Sequence, residues 1–175
     1  MKKNFMLRLA VLFSLLSIVG FQSGNEWKAY STLDGHFSIS FPGNPEESSQ
    51  DEKTDAGIPF KIHFATYSPS DNEVYMVGWI DMRNFYPESK TIKEILESSR
   101  DGATESMKAT NVTTLATVLT GNPYIEFTFE ADQAIGKDRI YLINKFQYSI
   151  ITIFSKETGI RPNADKFIMS FKSTF

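Results

Sequence analysis

The chain has 175 residues, with 18 Lys and Arg against 21 Asp and Glu and no cysteine. This length suits one compact domain, and an apolar fraction of 41% with a charged fraction of 22% excludes a disordered or collagen-like chain. Without cysteine there is no disulfide framework, no thiol nucleophile, no iron–sulfur ligand and no cysteine-bound lipid anchor.

The first 24 residues have the pattern of a secretory signal peptide. Three basic side chains in the first eight residues precede an apolar run from Leu9 to Phe21, which is shorter than the roughly 20 residues that a membrane-spanning helix needs. Small residues at 20–24 predict cleavage there, and an uncleaved N-terminal anchor is the alternative. We therefore expect residues 25–175 to form a single exported domain, periplasmic or secreted from a bacterium, with no stable membrane anchor after cleavage.

Charge then limits the class of partner. Residues 25–175 keep 15 Lys and Arg and 21 Asp and Glu, a net charge of −6, because the three charged groups of the leader are all basic. An acidic domain is poorly suited to hold nucleic acid through phosphate contacts.

The first half of this domain reads as short strands. Residues 36–41 alternate, with Phe37, Ile39 and Phe41 on one side, and predict a half-buried strand. Residues 46–55 hold five carboxylates and no large apolar side chain, which predicts an exposed loop or long hairpin tip.

A strand is predicted next over 58–67, followed by a turn at 68–72. Residues 74–82 are apolar at both parities, so this strand needs cover on both faces. Gly78 within it predicts a bulge or the close approach of a helix.

The second half begins with a helix. Thr91 and Glu94 have the spacing of a capping box, and the apolar positions from Ile92 to Ala103 lie on one helical face. Four further strands are predicted, at 111–119, 124–131, 137–144 and 146–154. A closing helix carries Ala164, Phe167, Ile168 and Phe171 at helical spacing, with Asn163 or a neighbour as its cap.

This order of elements predicts an α+β domain. No crossover of ten or more residues joins successive strands, so the sheet must be mostly antiparallel. We expect about seven or eight strands in a three-layer sandwich, with one amphipathic helix on each face.

No catalytic or cofactor-binding motif is present, and we expect no cofactor. His36 and His63 lie at outward parity of predicted strands; they could bind a metal or share a proton if those strands pair, and solvated histidines are the alternative. The acidic 46–55 stretch lacks the spacing of a calcium loop. Glu126 and Glu130 lie about 13 Å apart on one side of a strand, too far for a glycosidase pair, and read as its polar side.

Five aromatic residues are less easily placed in the core than the phenylalanines at inward parity. A cluster of them on one surface would mark a binding patch for a protein, a glycan or a lipid, and scattered edges of a large core are the alternative. These residues are Trp27, Tyr30, Trp79, Tyr86 and Tyr124.

Three short segments resemble the PsbP-like and DcrB-like exported domains: FSISFPGNP at 37–45, LTGNPYIEF at 119–127 and FIMSF at 167–171. The resemblance extends over nearly all of residues 27–175. It implies an antiparallel sheet between helices and a largely non-enzymatic superfamily of assembly or envelope accessory proteins. It transfers no functional residue, and the lipid-anchoring cysteine of the bacterial envelope members is absent here.

We therefore expect an exported, non-catalytic binding or accessory protein of the cell envelope, with a protein or small ligand as its partner. One alternative is a carrier of lipids or hydrophobic ligands, which requires an apolar cavity between sheet and helix. The other is a hydrolase that combines His36 and His63 with carboxylates such as Asp81 and Glu126. A histidine within hydrogen-bond reach of a carboxylate in a concave pocket would favour the hydrolase.

Overall fold

The computed structural model describes residues 27–175, and the predicted signal peptide lies outside the described residues. The helices are α1 (Ile92–Ser106) and α2 (Asn163–Met169). The strands are β1 (Lys28–Thr32), β2 (Phe37–Phe41), β3 (Glu46–Lys53), β4 (Pro59–Ser70), β5 (Glu73–Asp81), β6 (Thr110–Val118), β7 (Tyr124–Ala131), β8 (Ala134–Ile143), β9 (Phe146–Ser155) and β10 (Lys172–Ser173).

The strands form two antiparallel sheets. The main sheet has seven strands in the order β3-β4-β5-β9-β8-β7-β6, and a small sheet has the order β1-β2-β10. Helix α1 packs against β7 and β8 on one face of the main sheet, while α2 and the small sheet cover the other face. The predicted α+β sandwich with one helix to each face is confirmed, and the small sheet is an addition to it.

The central strands bury both faces, as predicted. On β5, Tyr75, Val77 and Trp79 face the small sheet, while Ile80 faces α1. Gly78 marks neither a bulge nor a helix contact: it pairs in regular register with both neighbouring strands, and the ring of Phe64 lies across it.

The acidic segment at 46–55 differs from the prediction of a loop. Residues 46–53 form β3, and every residue of β3 pairs with β4, from Glu46 opposite Thr66 to Lys53 opposite Pro59. A strand at the margin of a sheet gains its backbone hydrogen bonds from its neighbour and needs no inward side chains. Strand β4 continues into the predicted 68–72 turn as far as Ser70, which pairs with Glu73 of β5.

The two helices begin differently. The capping box of α1 is confirmed: the Thr91 hydroxyl accepts from the Glu94 amide at 3.3 Å, and the Glu94 carboxylate accepts from the Thr91 amide at 2.8 Å. Helix α2 has Pro162 at its N-cap and no side-chain capping bond, so the predicted cap by Asn163 or a neighbour is wrong. Burial of Ala164, Phe167 and Ile168 stabilises α2 instead. Across residues 27–175 neither helix is long and apolar enough to cross a membrane.

Candidate binding cleft

A cleft of about 510 Å³ opens where the small sheet meets one end of the main sheet. We call it the turn cleft, because the β1–β2 turn at 33–36 forms one of its lips. The start of β4 also lines the cleft, with Pro59 and Phe60, and so do Trp79 and Phe146. The turn and the strand therefore both contribute apolar side chains to it.

The turn is fixed to the core rather than hanging free. The buried hydroxyl of Tyr148 donates to the Gly35 carbonyl at 2.8 Å, and the Thr174 amide donates to the His36 carbonyl at 2.8 Å. Burial raises the pKa of Tyr148, so its hydroxyl keeps the proton that it donates. A Cβ at Gly35 would lie 2.7 Å from the ring of Phe37, so only glycine allows this close approach.

One consequence is an exposed leucine at the rim. Leu33 is 91% exposed at the tip of this fixed turn, the most exposed of the large apolar side chains in the described chain. His36, at the other end of the turn, has a φ of 53°, in the left-handed region that costs a non-glycine residue energy. The turn thus holds an apolar side chain in water at the edge of a cavity.

His63 lines the cleft from β4. Its imidazole stacks on the indole of Trp79, with ring centroids 5.1 Å apart and an interplanar angle of 13°. Burial lowers the pKa of His63, and the charge of Lys61 lowers it further, while Asp34 and Glu47 oppose the shift. The ring is therefore mostly neutral at pH 7 and presents an aromatic surface.

Asp81 lines the cleft as an ion pair. Its carboxylate accepts three hydrogen bonds from the Arg83 guanidinium, from Nε at 2.9 and 3.1 Å and from Nη2 at 2.6 Å. These bonds hold the pKa of Asp81 below its usual range. Arg83 also lies over the ring of Phe146, at 5.2 Å from its centroid.

The cleft brings together three of the four residues of the hydrolase hypothesis: His36, His63 and Asp81. Glu126 lies elsewhere, on β7, where it pairs with Lys137 and Arg139. Both histidines line the cleft although β2 and β4 belong to different sheets and do not pair.

No catalytic pairing is visible in the cleft. Neither imidazole forms a hydrogen bond with a carboxylate: His36 packs against Phe146 and Phe175, and His63 packs against Trp79. Within residues 27–175, no group of three or more His, Asp and Glu side chains is arranged to hold a metal ion.

The five aromatic residues proposed as a patch are distributed over the molecule. Trp79 lines the turn cleft. Trp27 packs on Tyr75, Tyr30 packs on Phe41, and Tyr124 lies beneath Arg139, all on the small-sheet side, whereas Tyr86 packs on the α1 side. A binding role for these residues stays a prediction.

Sequence reasoning missed the residues that shape the cleft entrance. Leu33 lies in a turn and Arg83 and Phe85 lie in the loop after β5, where no periodic pattern assigns a side chain to a face. One signal was available: a large apolar residue directly before Asp34-Gly35 is unusual in a turn, where polar residues dominate.

Comparison with known proteins gives a likeness of fold. No family model matches the chain, and no curated protein matches it. The solution structure of cyanobacterial PsbP (CyanoP) from Synechocystis sp. PCC 6803 is similar, with a TM-score of 0.52 and 11% sequence identity over 90% of this chain and 98% of that chain. The loose PsbP-like resemblance seen in the three sequence segments is thus confirmed at the level of the fold.

Proposed function

We propose that this protein is a non-catalytic binding or accessory protein of the bacterial cell envelope and that the turn cleft is its binding site. The observation that carries the proposal is Leu33, held 91% exposed on a turn fixed by Tyr148. Covering a leucine side chain is worth about 1.5–3 kcal/mol, so a partner that covers Leu33 gains this free energy without ordering a loop.

The chemistry of the cleft indicates what such a partner presents. Phe60 and Phe85 pack in a tilted arrangement with ring centroids 4.9 Å apart, and His63, stacked on the nearly buried Trp79, adds a further aromatic surface. The ion pair of Asp81 and Arg83 adds polar groups at one side. A segment of a protein partner, or a small ligand, with both an apolar and a polar part matches this lining.

Binding is favoured over hydrolysis by how the polar groups are engaged. A general base needs a histidine whose ring nitrogen reaches a proton, and its orienting carboxylate must face that ring. Here the carboxylate of Asp81 is directed to Arg83, and the imidazole of His63 is stacked on Trp79. The envelope location is proposed from the signal-peptide pattern and the PsbP-like resemblance, and cell fractionation tests it.

A photo-crosslinking experiment tests the proposal. A photoreactive amino acid replaces Leu33 in cells of the source organism, and the same residue replaces Met169, which is 71% exposed on α2, in a matched control. We expect an adduct from position 33 that position 169 does not give. The Phe60→Ser substitution in the same cleft should reduce its yield per folded protein.

Native mass spectrometry of the protein purified from its own source identifies a small ligand in the same preparation. Identical adducts from positions 33 and 169 would contradict the proposal. The proposal would also be contradicted if no adduct formed and native mass spectrometry showed the protein without a ligand. A retained lipid, with no dependence on Leu33 or Phe60, would favour the carrier alternative instead.

A further inference from the structure

The two margins of the main sheet have opposite character. Strand β3, at one margin, carries five charged residues in eight positions. Strand β6, at the other margin, carries none in nine, and the chain has no charged residue from Ala109 to Ile125. Six of the nine β6 residues are Thr or Val, the β-branched types that favour strands.

An unpaired margin is a template for another strand unless the sequence protects it. Natural sheets use charges, proline or bulges for this purpose. Strand β3 is protected by its like charges, with Glu46, Glu47, Asp51 and Glu52 along one strand. Strand β6 has register irregularities against β7 at two places, between Thr110 and Thr113 and between Thr114 and Ala116, and it carries no charge or proline.

The outer side of β6 is open in the described part of the chain. Strand β6 pairs with β7 on one side, and no other described element pairs with its opposite side. Val112 is 40% exposed, Leu115 is 50% exposed, and Leu119 just beyond the strand is 45% exposed. Apolar side chains therefore accompany the free backbone groups.

We propose that β6 pairs antiparallel with β6 of a second copy of this chain, which joins two seven-stranded sheets across a twofold axis. Self-pairing of β6 places Thr, Val and Leu opposite one another, and such cross-strand pairs are favourable. It opposes no charges, because β6 has none. The contact is isologous and therefore closes at two copies.

The other pairings of the same margins are disfavoured. Pairing β3 with β3 would set its carboxylates against each other, which is unfavourable for like charges in directly opposed positions. Pairing β3 with β6 is head-to-tail, so it would build a ring or a filament and would not stop at two copies. The charge distribution thus selects the second copy, through β6, as the occupant of this margin.

This dimer leaves the turn cleft open. The cleft is lined from β4, β5 and β9, whereas β6 is the last strand beyond β8 and β7. Each dimer would thus display two clefts toward its outer ends. Pairing through β6 is independent of what the cleft binds.

Single-cysteine crosslinking tests the pairing directly, because the chain has no cysteine of its own. Cysteine replaces Val112, Leu115 or Thr117 in turn on β6, and Ser48 on β3 in the matched control. All four positions are exposed. A disulfide needs Cα atoms about 4.4–6.8 Å apart, so we expect strong oxidation to a covalent dimer at the β6 position nearest the axis. We expect none at Ser48.

Sedimentation of the purified protein gives the second measurement. We expect a concentration-dependent dimer, an at least tenfold weaker association for Leu115→Lys or Leu115→Glu, and recovery when the two variants are mixed. Ser48→Lys should leave the association unchanged. The proposal is overturned if the protein is a monomer at all concentrations, whether another segment covers β6 or nothing covers it. A dimer that responds to Ser48 as strongly as to Leu115 overturns it as well.

Discussion

Two carboxylates on neighbouring strands are buried in different ways. Glu126 on β7 faces the small-sheet side and pairs with Arg139 and Lys137 across the strand boundary. Asp138 on β8 faces α1, is 0% exposed, and its oxygens accept only from the Ser149 hydroxyl, at 2.9 and 3.0 Å, and from the Arg139 amide. Opposite charges compensate the buried carboxylate of Glu126, whereas no opposite charge among the described residues contacts the carboxyl group of Asp138.

The two faces also differ in how the surroundings shift the pKa of a buried group. Burial raises the pKa of Asp138 to about 7, and the hydrogen bonds from Ser149 and the Arg139 amide only partly offset this effect. On the other face, burial alone would lower the pKa of Lys137, but hydrogen bonds to Asp165 and Glu126 raise it above its ordinary value. The small-sheet face thus keeps its charges paired, whereas the α1 face favours a carboxyl that holds its proton.

The same contrast extends to the apolar packing. Ten of the 17 buried apolar residues in the core cluster of the small-sheet face are aromatic, against two of the 12 in the core cluster of the α1 face. Flat rings packed edge to face fill the gap between two sheets and continue as far as the turn cleft, at Trp79 and Phe146. Aliphatic side chains suffice beneath a single helix, and the turn cleft combines Trp79 and Phe146 of the small-sheet face with Phe60 and Phe85 of the α1 side.

The largest expected effect is the pH dependence caused by Asp138. A carboxyl with its pKa near 7 when folded and near 3.8 when unfolded favours the folded state most below pH 4, loses this stability as the pH rises to 7, and changes little above it. The whole change corresponds to about 4 kcal/mol, of which about 2–3 kcal/mol falls between pH 5 and 8. Asp138→Asn should remove this part of the pH dependence.

Urea unfolding of the wild type and of Asp138→Asn at pH 5 and pH 8 measures the effect. The matched control is Asp132→Asn in the exposed β7–β8 turn, where a positive φ of 49° suits asparagine equally well. Asp132→Asn should follow the wild-type pH dependence. An Asp138→Asn curve that also follows it would show that Asp138 is ionised in the folded protein at pH 5.

The second prediction removes the matched charge on the other face. Glu126→Gln leaves the Arg139 and Lys137 cations with less compensation in a nearly buried site, which should cost about 3 kcal/mol of unfolding free energy. Glu130→Gln is the control, because Glu130 lies on the same side of the same strand but pairs with Lys156 near solvent. It should leave the urea midpoint almost unchanged, and equal losses from the two variants would refute this account.

These contrasts show what sequence patterns can and cannot predict. Alternation over residues 36–41 and the spacing of Thr91 and Glu94 predicted β2 and the start of α1, because both depend on neighbours along the chain. Outward parity placed Glu126 on a polar side, but its burial depends on Arg139 opposite it on β8. Alternation along a strand assigns a side chain to one face of the sheet but does not say which residue lies opposite it. It therefore cannot distinguish a solvated carboxylate from a paired one.

The cleft itself was not predicted, for the same reason. His36 and His63 were identified as outward-facing, but the element that brings them together is the packing of a separate small sheet on the main one. Leu33 and Arg83 belong to connections without periodicity. Sites assembled from turns depend on tertiary packing, which no single segment encodes.

The smallest expected effect concerns two glycines that lie opposite phenylalanines on the α1 face. Gly136 on β8 pairs with Phe129, and Gly78 on β5 pairs with Phe64. In both pairs the ring lies across the glycine, where a cross-strand side chain would otherwise stand. The contact distances separate the two sites: a Cβ at Gly136 would lie 2.2 Å from Phe129 Cζ, whereas a Cβ at Gly78 would lie 3.4 Å from the Phe64 ring.

Gly136→Ala must therefore displace a ring that is 1% exposed, at a cost of about 2 kcal/mol in unfolding free energy. Gly78→Ala makes an ordinary contact with a half-buried ring and should change stability little. Urea unfolding compares the two variants, and the Phe129 ring resonances report the displacement. If both variants were equally stable and the Phe129 resonances did not move, the α1 face would have space for a methyl group at position 136, which would contradict the prediction. The reason for expecting otherwise is that Phe129 is enclosed between β8 and the surrounding aliphatic side chains, so its ring cannot swing toward solvent as the ring of Phe64 can.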